Sequence, residues 1–258
     1  MAKPDSTDDD VKAADETVDE TRLDDADLDD ELADDDTDAG DPDAEDTDPE
    51  DTDPEGTDGT DQSPETALFW ADTEVDPIEI SFATGTGLTL RHYRTVEDED
   101  GEETEEAVFL AHRGKLHLFR SAEGLIEFIN SDAPHDLTDL ETWSQVLRRA
   151  KPSDVIAIDE DRYELDLVVE NLRGGHDVWE PDLLIPAGEV ARDIGFACEL
   201  DEVLAALAPG SPLDDLDEGL RDGGFLARRR LKKVGAEQAA IGWRSIIGKI
   251  SAAVEWHD

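Results

Sequence analysis

Aromatic side chains are missing from the first quarter of the chain. Residues 1–66 contain no Phe, Trp, Tyr or Ile, and beyond Met1 their larger aliphatics are Val11, Val18, Leu23, Leu28 and Leu32. The same stretch holds 30 Asp and Glu against Lys3, Lys12 and Arg22. It cannot bury enough apolar surface to offset an ordering entropy of roughly 1–2 kcal/mol per residue. Residues 1–66 are therefore expected to be a disordered, acidic, low-complexity leader, within which Glu-Asp-Thr-Asp-Pro occurs twice, from Glu45 and from Glu50. Cysteine is almost absent. Cys198 stands alone, which excludes an internal disulfide and fits a reducing compartment. No apolar run approaches the ~20 residues needed to span a bilayer, and "MAKPDSTDDD" has no apolar core of the kind a secretory signal needs. A cytoplasmic protein without a membrane span is expected.

Catalytic and cofactor signatures are lacking as well. There is no Gly-x-Ser-x-Gly elbow and no Walker A lysine. Gly85 and Gly87 have no third glycine and do not open a helix, so they make no dinucleotide fingerprint. Asp51, Asp53, Glu55 and Gly56 imitate a calcium loop, but its twelfth position is Gln62, which leaves only diffuse cation binding. No cofactor, metal or enzymatic activity is expected. Carboxylates are too abundant, at 71, for any pair of them to point to catalysis.

All five Trp, seven Phe and two Tyr follow residue 66. Ile78–Phe82 alternates apolar and polar, as do Leu88 and Leu90 beyond a turn-like "TGTG". "AVFLAH" and "KLHLF" read as two strands joined around Gly114, with "EDEDGEE" as a solvated loop before them. Ser121 is an N-cap for a helix burying Leu125, Phe128 and Ile129. Thr138 and Glu141 have capping-box spacing before Trp143 and Leu147. "YELDLVVENL" fits strand or helix, and the glycine pair after it favours helix. Further helices are expected over 184–197, 201–208 and 212–221, and a last one over 236–256 with Trp243, Ile246, Ile247, Ile250 and Val254 on one face. The expectation is an α+β fold, a short antiparallel sheet followed by a helical layer. Its parts are the leader, a domain over 67–221, and a basic joint with a C-terminal amphipathic helix over 222–258.

Histidines offer the obvious metal candidates. His92, His112 and His117 lie on expected strands, but no pair has the i, i+4 spacing of a zinc helix, and ordinary strand histidines are the simpler reading. His135, near Asp136 and Asp139, reads as a turn or cap residue rather than a general base. Cys198 follows an apolar helix and reads as a buried thiol.

Two stretches suggest contacts. Arg228, Arg229, Arg230, Lys232 and Lys233 form a basic run in a chain of net charge −49. The run can balance neighbouring acids, or it can clasp the tethered leader at an effective concentration of order mM. Nucleic-acid binding by the intact chain is disfavoured, because the leader competes for the same cations and Phe225 is the only aromatic nearby. In the last helix, Trp243, Ile246 and Ile250 are either core or a recognition stripe. The acidity as a whole also fits adaptation to high salt.

The segment "LHLFRSAEGLIEFINSDAPHDLTDLETW", Leu116–Trp143, combines a strand, a capped helix, a "HDLTDLETW" link and a second helix. In this pattern it resembles a family of acidic actinobacterial cytoplasmic proteins labelled "primosomal protein", which is distantly similar to the mycobacterial export chaperone SatS. The resemblance spans residues 77–220 and carries no catalytic motif. It implies binding of unfolded or secretory clients through apolar grooves, and the label implies replication partners. The expected function is non-enzymatic protein binding, chaperone-like or adaptor-like. The alternatives are a nucleic-acid-associated replication accessory protein using residues 228–233, and an enzyme whose site has no sequence signature.

Overall fold

Alternation of side chains builds the sheet. The computed structural model describes residues 62–97, 101, 103–222 and 231–258. Strand β1 (Asp76–Phe82) turns at Ala83 and Thr84 into the long β2 (Gly85–Glu97), with Phe82 opposite Gly85. β3 (Glu103–Phe109) pairs antiparallel with the second half of β2. β4 (Ala111–His112) and β5 (Lys115–Phe119) form a hairpin whose turn residues, Arg113 and Gly114, have φ of +50° and +74°. Positive φ at both positions is the turn geometry that matches strand twist, and it is why glycine is placed there. β6 (Arg162–Glu164) adds parallel to β1, and β7 (Val254–His257) adds parallel to β5. The α+β arrangement agrees with the sequence, but the sheet is mixed: an antiparallel centre carries two parallel additions.

The two faces of the sheet feed two cores. Ile78, Ile80, Phe82, Phe109, Leu116 and Leu118 point to one side. They pack there with helices α4 (Leu165–Arg173), α5 (Pro181–Ala197), α6 (Asp201–Ala206), α7 (Pro212–Asp222) and α8 (Ala236–Ala253). Leu90 and Phe119 point to the other side, towards α1 (Pro64–Thr73), α2 (Ala122–Ile129) and α3 (Trp143–Arg149). The period-2 rule of strands divides these sets.

Helix α1 is absent from the sequence reading. Pro64 sits at its start, Ser63 accepts the Thr66 amide as N-cap, and Phe69 and Trp70 are buried. Pro64–Thr66, assigned to the leader by composition, thus open a helix; residues 1–61 lie outside the described residues. Gln62, read as the last position of a calcium-like loop, donates its side-chain amide to the Ile156 carbonyl.

Local chemistry explains the other departures. Gly85 and Gly87 lie inside β2 rather than in the turn, paired with Phe82 and Ile80; glycine is required at 87 because a Cβ there would meet the Trp256 ring at 2.7 Å and Leu118 Cβ at 2.9 Å. Thr138 does not cap a helix. It sits in a 3-10 turn (Asp136–Asp139), its hydroxyl donates to the His135 carbonyl at 2.8 Å, and α3 starts only at Trp143. "YELDLVVENL" is both elements in succession: β6 carries Tyr163, and α4 begins at Leu165 with Leu165, Val168 and Leu172 buried. Ser211 caps α7 by accepting the Asp214 amide at 3.1 Å. The last helix ends at Ala253, and Val254 belongs to β7.

Candidate functional site

A groove with apolar walls opens where α6, α7 and α8 meet. It encloses about 800 Å³. Ala206, Pro212, Leu213, Val234 and Ile241 give it apolar walls, and Asp215 and Lys233 stand at its rim. Gly242 lets α8 come close to α7, since a Cβ there would meet Leu213 Cδ1 at 3.1 Å. Ile241 is 55% exposed although its helix buries Trp243, Ile246 and Ile250 on the opposite side. Helical geometry requires this, because position 241 lies about 200° around the axis from 243.

These positions locate the residues expected from sequence. Trp243, Ile246 and Ile250 are 3%, 1% and 0% exposed and belong to the core below the sheet. Lys232 and Lys233 are exposed, and Lys233 reaches the groove rim. Arg228, Arg229 and Arg230, and the proposed contact of the run with the leader, lie outside the described residues. The groove wall formed by Ile241 and Val234 was not anticipated. Its signal was available, as an isoleucine off the α8 stripe.

A buried charged group lies on the same side of the sheet, under α5. Arg91, 6% exposed, donates to the Asp161 carboxylate at 2.6 Å and to the Tyr163 hydroxyl at 2.7 Å, with Asp76 at 3.5 Å. Its guanidinium also lies over the Tyr93 ring at 4.6 Å, and the Tyr93 hydroxyl donates to Asp193 of α5 at 2.7 Å. Burial raises the pKa of Asp161, and the Arg91 charge opposes that rise. Asp193 is likewise raised by burial and lowered by its bond from Tyr93. The group ties β2, β6 and α5 together.

Histidines gather on the opposite face. His117 and His257 face each other across β5 and β7, Nδ1 to Nε2 at 3.0 Å. His135, 5% exposed, has its ring edge against Trp143 and is near Phe128. His92 is separate: its Nδ1 contacts the Glu74 carbonyl at 2.6 Å, at the left-handed C-cap of α1. The imidazole partner of His117 is His257, on a strand distant in sequence. Cys198 is buried, and burial pushes its thiol up to about 12, which makes it unreactive near neutrality.

The family model described as the SatS C-terminal domain matches residues 75–251. The chain belongs to the SatS C-terminal domain family. A solved structure, the SatS C-terminal domain in complex with bromine, superposes with a TM-score of 0.59 at 26% identity. That match covers 73% of this chain and 97% of the other. No curated protein gives a significant match. Within this SatS-type domain the groove walls fall inside the family match, whereas α1 and β7 fall outside it. No described helix is long and apolar enough to cross a membrane.

His135 gives the SatS-type domain a distinct acid response. Burial, then the charges of His117 and His112, lower its pKa from 6.5 to about 4. Above pH 6.5 neither folded nor unfolded chain binds the proton. Below it the unfolded chain takes the proton up and the folded one does not, so stability falls until the pH reaches about 4. The loss over that window is up to about 3 kcal/mol. His135→Phe should flatten the fall, because phenylalanine takes up no proton, and the replacement is tolerable because His135 Nδ1 has no hydrogen-bond partner among the described residues. Urea midpoints of both proteins between pH 7 and pH 4 test this, and parallel curves would refute it.

Proposed function

We propose that this protein is a non-enzymatic, chaperone-like binding protein of the cytoplasm whose groove holds apolar segments of unfolded polypeptide. One observation carries the reading: a groove of about 800 Å³ with apolar walls, into which α8 presents Ile241 still 55% exposed. Membership of the SatS family supports it. Burying a side chain such as isoleucine completely contributes about 1.5–3 kcal/mol. Two or three client side chains seated against Ile241, Leu213 and Val234 would therefore give a weak, reversible complex suited to handing a client on. The polyanionic leader keeps such complexes apart by charge repulsion.

Fluorescence anisotropy with a labelled, permanently unfolded protein tests the reading. Ile241→Asp places a charge in the groove and should weaken binding by about tenfold or more, a change of 1.4 kcal/mol or greater. Ile241→Leu should bind like the parent. Because Ile241 is exposed, the thermal melt should stay within a few degrees of the parent. Equal client affinity in the Asp variant would exclude the groove.

A further inference from the structure

We propose that His117, His257 and Glu255 form a binding site for one divalent transition ion of the zinc class. The sheet builds it. β5 and β7 run parallel with His117 beside Glu255 and Phe119 beside His257, so all four side chains project from one face. One ligand atom from each of His117, Glu255 and His257 lies within 4.8 Å of the other two. The two imidazole nitrogens are already 3.0 Å apart. Tetrahedral zinc with Zn–N bonds of about 2.0–2.1 Å sets them roughly 3.3 Å apart, so the rings need to open by only a few tenths of an ångström.

The donors and their support fit such an ion. Two imidazoles and a carboxylate are a borderline set that favours zinc, nickel or copper over the hard cations that acidic segments collect. A 3.0 Å contact also requires at least one ring to be neutral, the form that ligates. Both rings are held: His257 stacks on Phe119 at 4.8 Å and 17°, and His117 packs against Phe128 at 4.9 Å. Glu255 is exposed, so the fourth coordination position opens towards water. A bound ion would clamp β7 to β5. Glu255 and His257 lie beyond residues 75–251, the span matched by the SatS family model.

The test uses the full chain, stripped with a chelator and titrated with zinc against a fluorescent competing chelator. One zinc per chain should bind in the presence of excess magnesium, which occupies the acidic leader. Cobalt in the same position should give the visible absorption of a four-coordinate ion. Zinc should also raise the melting temperature of the parent. His257→Ala should abolish the stoichiometric site, an effect larger than the roughly 10–100-fold that loss of an outer-shell partner produces. Should His257→Ala disturb β7, the exposed Glu255→Gln is the second variant, expected to weaken zinc at least tenfold with the melt in chelator unchanged. Absence of stoichiometric zinc in the parent overturns the proposal. So does parental affinity in both variants, which would assign the binding to acidic residues elsewhere.

Discussion

Ile250→Asp should unfold the protein. Ile250 is fully buried on the inner face of α8, which packs against α4, α5, α6 and α7, together with Trp243, Ile246 and Ala253. A carboxylate placed there finds no cation and no water, and the effective penalty for such a charge is several kcal/mol even after relaxation. Domains have only about 5–15 kcal/mol in hand. Circular dichroism should show lost cooperativity, or a urea midpoint lowered by most of its value. Ile250→Val, which removes one methylene, should cost only about 0.5–1.5 kcal/mol. Ile241→Asp, on the same helix but exposed, is the internal control for helix propensity. A folded Ile250→Asp protein that had lost client binding would instead make this face a recognition surface.

The second large effect is expected at Arg91. Replacing it by Met leaves Asp161 buried without its cation, and breaking a buried pair in this way costs about 3–5 kcal/mol. The sign of the pH dependence follows from Asp161. Burial already raises its folded pKa above the unfolded value, and removing Arg91 raises it further. In the variant the folded state therefore gains protons that the unfolded state does not hold. Its deficit should be largest at neutral pH and should shrink as acid protonates Asp161. The double variant Arg91→Met with Asp161→Leu should recover much of the loss, because an apolar replacement of a whole buried pair is often close to neutral. Urea denaturation of parent, single and double variants at two pH values decides it. A single-variant loss below about 1 kcal/mol would assign the stability to packing alone.

Much of this fold is legible in the sequence, and the failures share a cause. Ser121, Ser211 and the alternating Ile78–Phe82 announce their elements because the relevant partners are local. β7 is not announced in this way. Val254 continues the i, i+4 series from Ile250, so the helical period hides the alternation of Val254, Glu255, Trp256 and His257. What converts those residues to a strand is the open side of β5 and the space over Gly87 that Trp256 fills, both distant in sequence. Helix α1 was missed because ten residues following an acidic segment look like its tail, and their burial depends on Asp154, whose carbonyl receives the Trp70 indole N–H at 2.7 Å. The groove follows the same rule. Its apolar residues belong to three helices and to the turn at Val234, and only Ile241 stands out from its own helix's pattern.

The pairing of β7 with β5 has a consequence for how the chain is made. His257 leaves the ribosome about 138 residues after Phe119, the residue it pairs with. At about 5–20 residues per second this is roughly 7–28 seconds of synthesis. Through that interval the side of β5 later covered by β7 displays open backbone groups beside Leu116 and Leu118, the kind of surface that recruits a neighbouring strand. By then residues 1–66, with their 30 acidic side chains, have already emerged. Nascent copies carrying this acidic stretch on one message would repel one another before β7 pairs with β5.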